Sequence, residues 1–113
     1  MPFYSSDLST IKPKVTQWKT NRGVSTNVVL TLINDEGIVI VANNMKDSGN
    51  YNFILIDNDN VLTELYSSQR TSDPRGGMTV YSFKGGKGKT IEFQIPFPNT
   101  DWAYGAVSAC EIS

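Results

Sequence analysis

The sequence predicts an all-β fold, a single antiparallel β-sandwich of two sheets in which residues 1–113 form one domain. About eight short segments alternate apolar and polar residues with period two, whereas helical periodicity is poor throughout. Turn residues separate the segments, and no stretch of linker composition divides the chain. With about seven or eight strands, an immunoglobulin/fibronectin-like or lectin-like sandwich is expected, and a small barrel is the alternative.

The first half of the chain predicts three strands. Residues 11–20 form an edge strand, because Pro13 cannot donate to a ladder of hydrogen bonds. Residues 24–33 follow, and residues 34–37 are predicted to be a hairpin turn in which glycine supplies a positive φ. Residues 38–42 are apolar at every position, which is typical of a central strand. One face of the second strand carries Val24, Thr26, Val28, Leu30 and Leu32.

The second half predicts five more strands. Residues 43–50 form a loop, and strands at 51–56 and 61–66 are joined by a turn at 57–60, whose Asp and Asn side chains bond to their own backbone. Residues 67–77 form the longest loop. The remaining strands are residues 78–83, 90–95 and 106–112, with a glycine-rich hairpin turn at 84–89.

The composition excludes most catalytic and metal-binding chemistry. The chain has no histidine and one cysteine, so most nucleophile–base pairs and most zinc sites cannot be built. Cys110 cannot form an intrachain disulfide and is expected to be a small buried residue of the last strand. No catalytic residue, cofactor or metal site is predicted.

The charge and the hydropathy pattern restrict partners and location. A formal net charge of −1 lacks the basic excess that binding to duplex nucleic acid requires. No window approaches a transmembrane segment, and residues 1–7 lack the basic and apolar regions of a signal peptide. The chain is therefore expected in the cytoplasm or exported by a nonclassical route, unless a leader has been removed.

Residues 84–90, with the sequence KGGKGKT, resemble the variant phosphate loop of partition-type ATPases, which reads lysine, two glycines, any residue, glycine, lysine and Ser/Thr. This resemblance is confined to the segment, and it implies nucleotide binding only where a helix follows. Residues 90–95 alternate instead and are closed by Pro96, which favours a strand. A basic turn is therefore the preferred interpretation, and its lysines are candidates to contact an anionic partner.

Two acidic patterns give weaker indications of function than the lysine–glycine segment. Residues 57–60 begin like a calcium loop, but Val61 and Leu62 occupy the positions where that loop needs an oxygen ligand and a glycine. No two carboxylates are placed at the defined distance that glycoside hydrolysis requires, so an enzyme is the third choice. The carboxylate candidates are Asp35, Glu36, Glu64, Glu92, Asp101 and Glu111.

Residues 99–104 carry the side chains that are expected to bind a ligand. Trp102 and Tyr104 offer aromatic faces that stack on sugar rings, and Asn99 and Asp101 offer hydrogen bonds to hydroxyl groups. The alternative is that Trp102 plugs one end of the core and Tyr104 faces inward. Trp18 is a second stacking candidate, although it too is expected in the core.

Together these features predict a noncatalytic, lectin-like module that binds a carbohydrate or glycoprotein through loops at one end of the sandwich. Weak affinity at each site would be offset by avidity in a homo-oligomer. The alternative is a structural or protein-interaction domain, such as a virion or tail component, an adhesin module or an inhibitor, with sheet edges and faces as its contact surfaces.

Overall fold

A computed structural model describes residues 13–23, 26–45, 53–70, 76–95 and 105–113. These residues form eight β-strands, and no helix occurs within the described ranges. The strands are β1 (Val15–Gly23), β2 (Thr26–Thr31), β3 (Glu36–Met45), β4 (Ile54–Ile56), β5 (Leu62–Ser67), β6 (Gly76–Lys84), β7 (Thr90–Ile95) and β8 (Gly105–Ile112). Each predicted strand is present, and the differences are confined to its ends.

The strands form two antiparallel sheets that pack face to face. The larger sheet has five strands in the order β1-β8-β3-β6-β5, and the smaller has three in the order β2-β7-β4. The sheets are not closed into a barrel, so the predicted two-sheet sandwich is confirmed. The apolar segment 38–42 lies in β3, the middle strand of the larger sheet, and β1 is an edge strand, as predicted.

The strand pairing is nested: β1 pairs with β8, β2 with β7, and β3 with β6. This nesting is characteristic of jelly rolls, in which successive strands alternate between two sheets. The predicted hairpin turns at 34–37 and 84–89 are therefore wrong, because each connects strands of different sheets. Gly37 does not have the expected positive φ. It is instead required for space, since a Cβ there would meet the Ile112 carbonyl oxygen and the Phe83 ring.

Alternation along the strands places one continuous apolar core between the sheets. In β2 and just after it, Thr26, Val28, Leu30 and Leu32 face inward as predicted, whereas Val24 lies outside the described residues. Full burial of a side chain of this size contributes about 1.5–3 kcal/mol. The buried apolar residues are Val28, Leu30, Leu32, Val39, Val41, Tyr81, Phe83, Ile91, Phe93, Ile95, Val107 and Ala109.

The lysine–glycine segment 84–90 is a crossover turn and not a phosphate loop. The Gly86 amide donates to the Asp35 carbonyl oxygen at 2.8 Å, and the Gly88 amide donates to the Leu32 carbonyl oxygen at 2.8 Å. These amides already have acceptors, and strand β7 follows where a phosphate site needs a helix. The turn therefore ties the β6–β7 connection to the β2–β3 connection.

Replacing Gly86 with alanine tests this packing. The new Cβ would lie 2.6 Å from Phe83 Cδ2 and 2.7 Å from Leu32 Cδ1, and overpacking of this kind costs about 1–3 kcal/mol. We expect a loss of that size in the free energy of unfolding, measured by urea denaturation. Lys87→Ala, at an exposed position of the same turn, should change it by less than about 0.5 kcal/mol. Equal stability of the two variants would contradict the packed turn.

Residues 57–60 form the predicted turn. The two carboxylate oxygens of Asp57 accept hydrogen bonds from the amides of Val61 and Leu62 at 3.1 and 2.8 Å. Asn60 has a φ of 55°, the left-handed conformation that asparagine tolerates. Asp57 therefore caps the turn between β4 and β5.

The edges of the sheets are largely closed. Gln17 Nε2 on β1 donates to the Thr31 carbonyl oxygen at 2.7 Å, and Asn21 Nδ2 donates to the Asn27 carbonyl oxygen at 3.1 Å. These side-chain amides occupy carbonyls at the edge of β2. At the far edge of the larger sheet, the register of β5 shifts between Glu64 and Tyr66. Such devices prevent an edge from pairing with another chain.

Candidate functional site

All the strands run between two ends of the sandwich, which differ in character. The register brings Gly23, Met45 and Gly105 into line, with Gly76 opposite Asn44 beside them. We call this the loop end, because the connections 24–25, 46–53, 68–75 and 96–104 join strands there. The turn end, opposite, holds the three short crossovers between sheets.

The residues predicted to bind a ligand, Asn99, Asp101, Trp102 and Tyr104, lie outside the described residues. The strands on either side of them are described. Segment 96–104 follows the loop-end terminus of β7 and precedes the loop-end terminus of β8.

Polar side chains occupy the interior of the sandwich at the loop end. Thr26 and Asn43 are 5% and 7% exposed. Thr26 Oγ1, both polar atoms of the Asn43 side chain and Gln69 Oε1 find no hydrogen-bond partner among the described residues. We call Thr26, Asn43 and the half-buried Gln69 the loop-end cluster, because each lies at the loop-end terminus of its strand or directly after it. A buried polar group without a partner costs about 1–3 kcal/mol, so such a cluster requires an explanation such as a bound polar molecule or water.

The loop-end cluster is not predicted by the sequence. The sequence predicts a loop at 43–50, but β3 continues to Met45 and directs Asn43 inward. The available signal was the period-two continuation from Val39 and Val41 to Asn43. Burial is predicted from apolar character, so the polar side chain of Asn43 is not predicted to face the core.

A row of mainly apolar side chains crosses the outer face of the larger sheet. The register aligns one residue from each strand. In sheet order the residues of this outer row are Trp18, Cys110, Ile40, Val80 and Tyr66.

Trp18 is not in the core, contrary to expectation. It is 71% exposed, and its Nε1–H donates to Ser108 Oγ at 2.7 Å. The reason is register, because pairing with Cys110 directs both side chains away from the smaller sheet. Cys110 lies in the last strand as predicted, but it is half-buried on the outer face.

A cleft of about 800 Å³ lies at the turn end, a volume within the range of small-molecule sites. Its lining includes Glu36 and Lys84, which stand opposite each other in the register of β3 and β6. Opposite charges side by side leave no excess charge to attract an ion. The cleft therefore offers mixed polar and apolar walls without a convergent group of reactive side chains.

Two of the described titratable groups, Glu92 and Tyr81, have pKa values that are shifted by their surroundings. Hydrogen bonds from the Asn27 and Gln94 amides hold the pKa of the Glu92 carboxyl below its ordinary value. Burial, reinforced by the charge of Glu64, raises the pKa of Tyr81 to about 12, which is far from the value that suits acid–base catalysis at neutral pH. Within the described ranges, no group of three acidic, cysteine or histidine side chains is placed to hold a metal ion.

Comparisons with protein-family models, with curated proteins and with solved structures give no match. In the part of the chain that the structure describes, no helix has the length and apolar character to cross a membrane. Because a fold alone does not specify a function, the geometry of this chain is the basis for inferring its function.

Proposed function

We propose that this chain is a noncatalytic binding module for carbohydrate, with its site at the loop end. The loop-end cluster is the observation that carries the proposal. Among the described residues, neither the donor nor the acceptor of the Asn43 amide has a partner, and Thr26 adds a hydroxyl group. A sugar, whose neighbouring hydroxyls both donate and accept, matches this set of groups.

The proposed site combines this polar floor with the residues of segment 99–104. Trp102 and Tyr104 would stack on the apolar faces of the sugar rings, and Asn99 and Asp101 would bond to peripheral hydroxyls. Binding groups on loops that a rigid sheet positions are a common arrangement in sandwiches. The other end is less suited to binding, because its crossovers are short and the β2–β3 and β6–β7 crossovers are hydrogen-bonded to each other.

A glycan array on the purified full chain tests the proposal. We expect a defined set of glycans to bind the wild type, and at least about tenfold weaker binding, or about 1.4 kcal/mol, for Trp102→Ala and for Asn43→Leu. Ile33→Ala is the control, because it removes an exposed apolar side chain at the turn end, and it should retain binding. An array without signal, or binding that Trp102→Ala and Asn43→Leu leave unchanged, would overturn the proposal.

A structural or protein-interaction domain is the second candidate, and the outer row favours it. Soluble antiparallel sheets usually present a polar face to water, whereas this face exposes Trp18, Tyr66 and Met78 by 71%, 58% and 41%. Light scattering separates the candidates. A closed oligomer without glycan binding supports the second, and glycan binding that Trp102→Ala and Asn43→Leu weaken supports the first in either oligomeric state.

A further inference from the structure

The outer face of the larger sheet is almost uncharged. Of the residues that the register places on this face, the charged ones are Arg22, Glu36 and Lys84. Arg22 lies towards the loop end, and Glu36 and Lys84 lie at the turn end. The outer row between them contains no charge. An apolar patch with a charged margin is the usual anatomy of a protein interface.

We propose that this face binds a second copy of the chain, so that two larger sheets pack against each other in a symmetric dimer. The inference rests on the interaction function proposed above as the second candidate. A second copy of the chain can pack on this face because of the twist of the sheet. All sheets twist with the same hand, and two such sheets pack well with strand directions about 30° apart. Because this surface is almost uncharged, it also does not favour a partner of opposite charge.

The area is sufficient for such a dimer. Five strands about 4.8 Å apart, and six residue steps of about 3.3 Å between Ala106 and Ile112 on β8, outline a footprint of about 500 Å² for each copy. Two copies would bury about 1,000 Å² or more of accessible surface, which is the lower limit for a specific interface. The aromatic side chains at the two ends of the outer row are of the type that dominates interface energies.

Other modes of self-association are less open to this chain. Side-chain amides of Gln17 and Asn21 occupy carbonyls along β2, and the register shift in β5 interrupts the opposite edge of the larger sheet. Strand β4 has three residues, too few for an extended ladder. With its edges blunted, the sandwich has a broad face as its main contact surface.

Sedimentation velocity on the full chain tests the dimer, over total concentrations of about 0.1–100 µM that bracket the affinity of a small interface. We expect a species of twice the 12.5 kDa chain mass. Ile40→Lys, at the middle of the outer row, and Tyr66→Lys, at its exposed end, should each weaken dimerisation at least about tenfold. Tyr66→Lys keeps the test valid if Ile40→Lys does not fold. Ile54→Lys is the matched control, because Ile54 is 44% exposed on the smaller sheet, and it should dimerise normally.

A wild type that stays monomeric at every concentration would overturn the inference. So would dimers that survive both Ile40→Lys and Tyr66→Lys, or that Ile54→Lys disrupts equally. The carbohydrate proposal can fail independently of the dimer. If the wild type dimerises but binds no glycan, the loop-end site is wrong and the dimer stands. If it binds glycan but stays monomeric, the dimer is wrong and the loop-end site stands.

Discussion

Replacing Glu111 with alanine is expected to lower the free energy of unfolding by about 3–5 kcal/mol, a large loss for a domain of this size. Glu111 is fully buried, yet its carboxylate has no cationic partner among the described residues. It accepts instead from Gln17 Nε2 at 2.7 Å, from the Ile33 amide at 3.0 Å and from the Asn34 amide at 2.7 Å. Alanine removes this acceptor from three part-buried donors, although Gln17 Nε2 still donates to the Thr31 carbonyl oxygen at 2.7 Å.

The position of Glu111 explains why the effect should be global. It lies on β8, Gln17 lies on β1, and the two amides belong to the β2–β3 crossover, so one carboxylate joins both sheets. Urea denaturation measures the loss. Glu111→Gln should cost about 2–4 kcal/mol, because its NH₂ group would face donors. Glu64→Gln, at an exposed carboxylate, should change stability by less than about 0.5 kcal/mol.

A Glu111→Ala variant within about 1 kcal/mol of the wild type would show that the three donors find water or other acceptors at little cost. A double-mutant cycle of Gln17→Ala and Glu111→Ala would then measure the coupling free energy between these two side chains. A coupling near zero would exclude Gln17 as the partner that matters.

Replacing Phe93 with alanine is expected to cost about 3–5 kcal/mol as well, through a cavity in the core. Phe93 is fully buried on β7, the middle strand of the smaller sheet. Its ring meets Phe53 edge to face at a centroid distance of 5.4 Å and lies 6.0 Å from the Tyr81 ring. The substitution removes the Tyr81 contact, which connects the two sheets, and the Phe53 contact beside β4 of the smaller sheet.

Thermal and urea unfolding of Phe93→Ala, compared with Phe93→Leu and Gln94→Ala, tests this expectation. Leucine fills part of the space and should cost less than alanine. Gln94 points outward from the same strand and should have a small effect, within about 0.5 kcal/mol. If Phe93→Ala were no more harmful than Gln94→Ala, the core would not be packed around this ring.

The strands were predictable because their signal is local. Alternation alone locates β7 at Thr90–Ile95, and the Asx residues locate the turn before β5. The predicted hairpin turns at 34–37 and 84–89 are wrong. Glycine and asparagine indicate where the chain reverses, but they do not indicate which sheet contains the next strand. Nested pairing depends on contacts between segments far apart in sequence, such as β1 with β8.

The site was predictable only in part. Segment 99–104 remains a prediction, since it lies outside the described residues. Trp18 was placed in the core because large aromatic residues are usually buried, and its register with Cys110 reverses that expectation. Asn43 and Glu111 were not foreseen as interior groups, because the sequence pattern identifies burial by apolar character and both are polar.

By itself, the sequence determined the kind of secondary structure, the position of each strand and the absence of histidine chemistry, because these depend on composition and on neighbouring residues. Tertiary structure decided which face is covered in the strands where alternation does not, such as β1 and β3. A three-stranded sheet packs on only one face of a five-stranded one, so β3, apolar on both faces, leaves Ile40 half-buried on one side and fully buries Val39 and Val41 on the other. That choice depends on strand order and register, which no local pattern encodes.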